Sequence, residues 1–331
     1  MTDTTQAQRI DDSSPRGSRA LRIRGDLLQR GALFGAFALL LLVCSVTFPA
    51  FASLDNFRNI LTFSAILFII ALGQTLVVLG RGVDLSVGSM VGLAGAVFAR
   101  LVVSGFQIPL AIALTLLLAI LLGGVVNGML ITKARISFFI VTLGTFSLFR
   151  SQAQVQLGGE SLTVRSPFLS ELANGRLGPI PNVVLFATVL FLVVLFVQQG
   201  TVYGRSLYAT GANPLAARLI GIRTDRVRII SYAICALLAA VAGLLTVGQI
   251  GSAQPSAGTG LDLSALAAVL LGGTRFSGGH GGVGPTLLGV LFIATLNNAL
   301  AIAGVDSFWQ GTAAGIVLIA AVAIDRSRGE D

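Results

Sequence analysis

The sequence predicts an all-α protein, a polytopic transmembrane helical bundle of about eight to ten spans with interrupted helices, an inverted repeat and both termini cytoplasmic. Three observations carry this. Of 331 residues, 54% are hydrophobic and only 11% charged, far below the roughly 25% charged that is usual in water-soluble domains. Charge-free apolar runs of bilayer length recur along the whole chain. The connections between those runs carry lysine and arginine on alternate sides, as the positive-inside rule requires.

Residues 1–30 hold Arg9, Arg16, Arg19, Arg22, Arg24 and Arg30 ahead of an apolar stretch too long for a cleaved signal core, and read as a retained cytoplasmic tail. A single membrane domain is expected over 31–325. Its charge-free runs are 32–52 and the stretches from Arg58 to Arg81, Arg100 to Lys133, Arg176 to Arg205, Arg228 to Asp262, Arg275 to Asp306 and Asp306 to Asp325. Two apolar pieces, 137–149 and 263–273, are too short to cross and are expected to be broken or re-entrant helices. With the tail inside, Arg81, Lys133 with Arg135, Arg205 to Arg228, Arg275, and Arg326 with Arg328 fall on the cytoplasmic side. Arg58, Arg100, Arg150, Arg165 and Arg176 fall outside. Residues 326–331 form a short cytoplasmic tail.

Two polar connections are long. The outer one, 151–182, carries Glu160 and Glu171 and is either a plain loop or a partner-docking surface. In the inner one, 200–228, Asn213 can cap a short helix, Pro214 suits its first turn, Leu215 to Ile220 fill it and Gly221 can close it. A helix this short must bury its apolar residues, either on the membrane surface or in a groove of a cytoplasmic partner.

Several chemistries are excluded. The net charge of +8 is spread among connections rather than gathered on one face, so nucleic acid is not a partner and membrane lipid is. The Gly279 to Gly284 match to GxGxxG lacks a strand–helix setting and reads as a tight turn. His280, the one histidine, has no neighbouring ligand set, so no metal is expected. Lys133 stands outside any phosphate-binding loop, so any ATP is hydrolysed on another subunit. Cys44 and Cys235 lie in apolar runs and read as unpaired buried thiols. Small-xxx-small pairs at Gly88/Gly92, Gly124/Gly128 and Gly311/Gly315 suit close helix contacts within the bundle or across a dimer.

The pentapeptide Gly82-Val83-Asp84-Leu85-Ser86 recurs as Gly260-Leu261-Asp262-Leu263-Ser264, and the topology above puts the copies on opposite sides, as in inverted-repeat transporters. Asp84 and Asp262 are either helix N-caps or pathway groups. Asn127, Asn297 and Asn298, with Thr142 and Thr145, either line a polar path or bridge helices.

These residues resemble the membrane permeases of carbohydrate-type ABC importers, the ribose, xylose and galactoside group related to branched-chain amino-acid permeases. The landmarks, which span most of the chain, are Arg81-Gly-Val-Asp-Leu-Ser-Val-Gly88, Asn127-Gly128, Phe139-Ile-Val-Thr-Leu-Gly144, Tyr203-Gly-Arg205, Gly211-Ala-Asn213, Ala216-Ala-Arg218 and the glycine turn 278–284. Phe138 stands where the family commonly has proline, and Pro285 where threonine often follows the turn. The resemblance implies a non-enzymatic, multi-pass subunit of a bacterial inner membrane that carries a pentose, hexose or related polyol inward. It also implies partners: ATPase subunits that hold the ATP and magnesium (this chain binds no cofactor), a periplasmic substrate-binding protein, and a second permease copy or paralogue. Pathway candidates are Asp84, Ser86, Asn127, Phe139, Thr142, Asn297 and Asn298. Candidates for coupling to the ATPase, in the segment matching 203–221, are Tyr203, Gly204, Arg205, Asn213, Ala217 and Arg218. The rival readings are a permease of the same build for branched-chain amino acids or nucleosides, and a stand-alone secondary transporter, which would need a charged relay inside its spans.

Overall fold

The computed structural model describes residue 31 and residues 33–326; the basic tail expected at 1–30 and residues 327–331 of the C-terminal tail lie outside the described residues. The chain is almost wholly helical. α1 (Leu33–Thr47) leads to α2 (Leu54–Leu79), which starts at Ser53, whose hydroxyl accepts from the Asn56 amide at 3.2 Å. α3 (Val87–Val103) follows, then α4 (Ile108–Ala119), a π-helical stretch (Ile120–Val126) and α5 (Asn127–Thr132), which together form one rod. Next come α6 (Phe138–Leu157), α7 (Pro167–Asn174), α8 (Asn182–Gly200), α9 (Val202–Ala212), α10 (Pro214–Leu219) and α11 (Thr224–Ile250). α12 (Leu261–Leu271), α13 (Val283–Ile302) and α14 (Ser307–Arg326) complete the chain. Among the described residues five helices are long and apolar enough to cross a membrane: α2, the Ile108–Thr132 rod, α8, α11 and α13.

α2 is the axis of the molecule. Its residues from Ser64 to Leu79 are buried, packed by α11, α13, α12 and α8, because the run is apolar all round rather than on one stripe. Helices at the rim show the opposite, with Leu, Val and Phe side chains such as Leu143, Val189 and Phe196 exposed toward the lipid that stands in for a core. The Gly124/Gly128 pair behaves as its spacing suggests: a Cβ on Gly128 would sit 2.8 Å from the Ile229 Cα, so the rod can reach α11 only with glycine there. Cys44 and Cys235 are both buried.

Three expectations change. The 137–149 piece is not a broken helix but the start of the 20-residue α6, which runs through Arg150 to Leu157. Arg150 survives mid-helix because its guanidinium caps backbone carbonyls, described below. The outer polar connection is consequently shorter than 151–182. It holds β1 (Leu162–Thr163), α7, and the hairpin of β2 (Arg176–Leu177) and β3 (Ile180–Pro181). β1 pairs antiparallel with β4 (Ser252–Ala253), Leu162 opposite Ala253, and the Val164 amide donates to the Gly251 carbonyl at 3.0 Å. Second, α3 emerges where the charge-free runs missed a helix, since Asp84 precedes it and Arg100 lies in its last turn.

The third change concerns the repeat. Its two copies do not lie on opposite sides; they meet. After α2 the chain turns back into the bundle, with Val83, Asp84 and Ser86 fully buried, before α3 begins. Gly243 of α11 lies against Val91, and Val247 against Gly95, so α3 runs parallel to α11 and starts level with about the middle of that 27-residue helix. From the far end, residues 253–258 descend along the Gly88, Gly92 and Gly95 face of α3. A Cβ on Gly88 would stand 2.6 Å from the Gly258 carbonyl oxygen and 3.1 Å from an Asp262 carboxylate oxygen. The Gly88/Gly92 pair therefore receives an extended segment rather than a helix. α12 starts there and runs to the end where Gly272 packs on Pro285. Two half-length helices thus begin back to back in the interior and run to opposite ends, their positive dipole ends facing one another.

Candidate functional site

The site grows from this break. The Asp84 carboxylate accepts from the Ser86 amide at 2.9 Å and from the Ser86 hydroxyl at 2.5 Å. The N-cap of α3 is Ser86, so Asp84 folds the approach to the helix rather than capping it; Asp262 is likewise inside the first turn of α12, whose N-cap is Gly260. The π-helical stretch widens the backbone immediately before Asn127 and turns that side chain inward, where its amide donates to the Ser86 hydroxyl at 3.3 Å. Asp84, Ser86 and Asn127 thereby form one polar cluster, each 1% exposed or less. Among the described residues the buried Asn127 carbonyl oxygen has no hydrogen-bond partner, nor has the amide nitrogen of Gln74 on α2. Tyr232 of α11 donates to the Val83 carbonyl at 3.3 Å, and the Cys235 thiol lies 3.8 Å from the Gln74 carbonyl oxygen. Gln74 and Tyr232 were missed in the sequence, although a lone amide or phenol inside a charge-free run was the available signal.

Other pathway candidates lie elsewhere. Asn298 exchanges hydrogen bonds with Asn56 at 3.1 and 2.9 Å and so bridges α13 to α2. Its neighbour Asn297 is half-buried with no bond of this kind among the described residues. Thr142 is buried but bonds the Phe138 carbonyl of its own helix at 2.8 Å, and Thr145 does the same with Val141 at 3.0 Å. Phe139 is exposed on the outer face of α6, its ring 4.4 Å from that of Phe138.

A second polar assembly occupies the end of the bundle beside α9 and α10. α9 starts at Thr201, which accepts from the Gly204 amide at 3.2 Å; Gly204 fits because a side chain there would strike the Gln198 carbonyl. α10 forms as its residues dictate: the Asn213 side chain accepts from the Leu215 and Ala216 amides at 3.0 and 3.1 Å, Pro214 opens the helix, and Gly221 leaves it at φ 87°. Tyr203 shares a 2.8 Å hydrogen bond with Ser231, and burial pushes its phenol up to about 12. Arg218 donates to Thr224 at 2.7 Å and pairs with Asp225 at 3.1 Å, while Lys133 reaches the other Asp225 oxygen at 3.3 Å. Arg205 is exposed. Ala217 is 2% exposed and faces the chain itself, whereas Leu215, Leu219 and Ile220 stand 69%, 81% and 75% exposed.

This assembly is tied to the polar cluster through Arg81, which the sequence offered as a topology marker and a landmark of the resemblance but not as a site residue. Arg81, at φ 62°, donates to the Gly211 and Ala212 carbonyls at 2.5 and 2.8 Å, and Arg228 donates to the Gly80 carbonyl at 3.0 Å. The glycine turn locks onto the same point. Its Gly279 amide donates to the Leu79 carbonyl at 2.9 Å, and Tyr208, bonded to Gln198, donates to the Gly281 carbonyl at 2.7 Å. Gln198 in turn accepts from the Val283 amide at 3.1 Å. Gly278, Gly279, Gly281 and Gly282 take positive φ from 70° to 157°, which side chains would strain, and the turn's hydrogen bonds make it a fold element.

A family model described as "Branched-chain amino acid transport system / permease component" matches residues 56–322. The "Ribose import permease protein RbsC" of Escherichia coli K12 is 37% identical over 91% of this chain and 95% of its own length. The Bacillus subtilis protein of that name is 40% identical over 94% and 96%. The "Autoinducer 2 import system permease protein LsrC" of Salmonella paratyphi B is 33% identical over 88% and 85%. No solved structure matches.

Proposed function

The chain belongs to the branched-chain amino acid transport system permease family, and from that premise we propose that it is the membrane-spanning subunit of an ATP-driven importer that carries a sugar inward across a bacterial inner membrane. It performs no chemistry on the solute. ATP and magnesium are handled by separate ATPase subunits, a periplasmic binding protein delivers the solute, and a second permease copy or paralogue completes the path.

The observation that carries this reading is the meeting of α3 and α12 inside the bundle. Two half-helices starting beside buried Asp84 and half-buried Asp262 make a point where a small repacking of the non-helical approaches, 80–86 and 251–260, changes which end is open. Asp84, Ser86 and Asn127 supply the polar lining at that point. Arg81 connects it to α9 and α10, whose exposed Leu215, Leu219 and Ile220 form an apolar knob of the kind that seats in a cleft of a cytoplasmic partner. Ala217 and Gly204 set the backbone under the knob, and Arg218 with Asp225 fixes its exit.

A sugar is favoured over an amino acid by the names of the relatives, which import ribose and autoinducer 2. Vesicles containing the chain with its ATPase and binding protein should accumulate D-ribose or another pentose or hexose only with ATP inside the ATPase compartment. Accumulation by this chain alone under a proton or sodium gradient would overturn the reading. Uptake of leucine but of no sugar would move it to the amino-acid branch.

A further inference from the structure

At the end of the bundle opposite α9 and α10, a cavity of ≈ 470 Å³ opens between the second half of α6 and the descending segment 255–259. It is lined by Arg150, Gln154, Ser161, Pro255, Ser256 and Thr259. Arg150 is divided in its work. One terminal nitrogen donates to the Pro255 carbonyl at 2.8 Å and the Ala257 carbonyl at 3.3 Å, and the guanidinium lies 5.9 Å from the centroid of the Phe146 ring. The other terminal nitrogen is buried and makes no hydrogen bond among the described residues. That nitrogen is withdrawn from water with two unused N–H groups, which reach an acceptor in the cavity beside it when the Arg150 side chain turns toward that space.

We propose that this cavity is a binding station for a neutral polyhydroxylated solute, the first polar stop on the inward path. Its volume falls within the roughly 300–1,000 Å³ of ordinary small-molecule sites. Its wall supplies donors and acceptors in the mixture that hydroxyl groups need: the Gln154 amide, the Ser161, Ser256 and Thr259 hydroxyls, and the edge of the Arg150 guanidinium. An anion fits less well. Asp262 is the acidic group whose field acts on Arg150, and it opposes the guanidinium charge. The location has mechanical meaning too. Arg150 holds by their carbonyls the same residues, 255 and 257, that lie in the glycine face of α3, so solute on Arg150 bears on the segment leading to α12. The inference rests on the importer reading and adds to it the place and chemistry of entry.

The test is thiol protection in the assembled complex in nanodiscs. Ser256→Cys places a reactive group on the exposed wall, while native Cys44 and Cys235 are buried and set the background. Labelling by a membrane-impermeant maleimide is timed with D-ribose, D-xylose, D-galactose or inorganic phosphate. At least one sugar should slow labelling about twofold at half-saturation. Combining Ser256→Cys with Arg150→Gln or with Gln154→Leu, whose side chain is exposed and makes no hydrogen bond among the described residues, should shift protection to several-fold higher sugar. Protection by phosphate alone, by none of the sugars, or undiminished in both double variants overturns the proposal. Uptake by the unaltered complex is measured alongside. Uptake without protection sinks the station and leaves import standing, whereas protection without ATP-dependent uptake supports the station and sinks import.

Discussion

The Arg81 guanidinium donates to the Gly211 carbonyl at 2.5 Å, fastening the turn between α2 and α3 to the last turn of α9. Movement at the α10 knob therefore reaches Asp84 through three residues of chain. Arg81 adopts a left-handed backbone that costs a non-glycine residue about 1 kcal/mol, a strain held by the two carbonyl bonds it makes. Arg81→Ala should lower thermal stability by about 2 kcal/mol and suppress uptake. Arg81→Gly should regain about 1 kcal/mol of that loss without restoring uptake. Melting of the detergent-purified complex and vesicle uptake distinguish the two effects, and equal melting of both variants would deny the strain.

The exposed face of α10 predicts a clean separation of docking from folding. Leu219→Glu should leave the melting temperature of the isolated chain unchanged and abolish stimulation of ATP hydrolysis. Ala217→Asp, by contrast, puts a carboxylate in a buried position and should destabilise the chain by about 3 kcal/mol. If Leu219→Glu leaves stimulation intact, α10 does not dock through this face.

At the half-helix junction, Gly88→Ala forces a methyl group against the Gly258 backbone and should cost about 1–3 kcal/mol together with uptake. Gly144→Ala meets open space and should be neutral for folding. A neutral Gly88→Ala would mean that α3 and α12 are not packed as described.

Asp84→Asn keeps an acceptor for the Ser86 amide and should retain the fold, while Asp84→Ala leaves that buried amide without its partner and should cost about 1–3 kcal/mol. Both should reduce uptake. Full uptake by Asp84→Ala would remove the residue from the path.

How far these features could be read beforehand depended on whether the signal was local. α10 was legible because a cap, a proline and a glycine act within a few residues, and the bundle was legible because lipid exposure needs apolar runs. α6 was misjudged because Arg150 resembles a span boundary; only the carbonyls of Pro255 and Ala257, a hundred residues away in sequence, make it tolerable inside the helix. The repeat was visible as a motif, yet its two copies were placed on opposite sides, since charge counting cannot see a chain that doubles back before its helix begins. Asn298 could not be told from a pathway group until Asn56 appeared opposite it.

The short ladder between Leu162 and Ala253 couples the outer loop to the membrane interior. Four residues of paired backbone make the cap over the bundle and the strand beneath it a single lever, one arm reaching solvent and the other lying in the glycine groove of α3. In the importer proposed above, a load on the outer loop would therefore be carried by a clasp of main chain to the segment that starts α12.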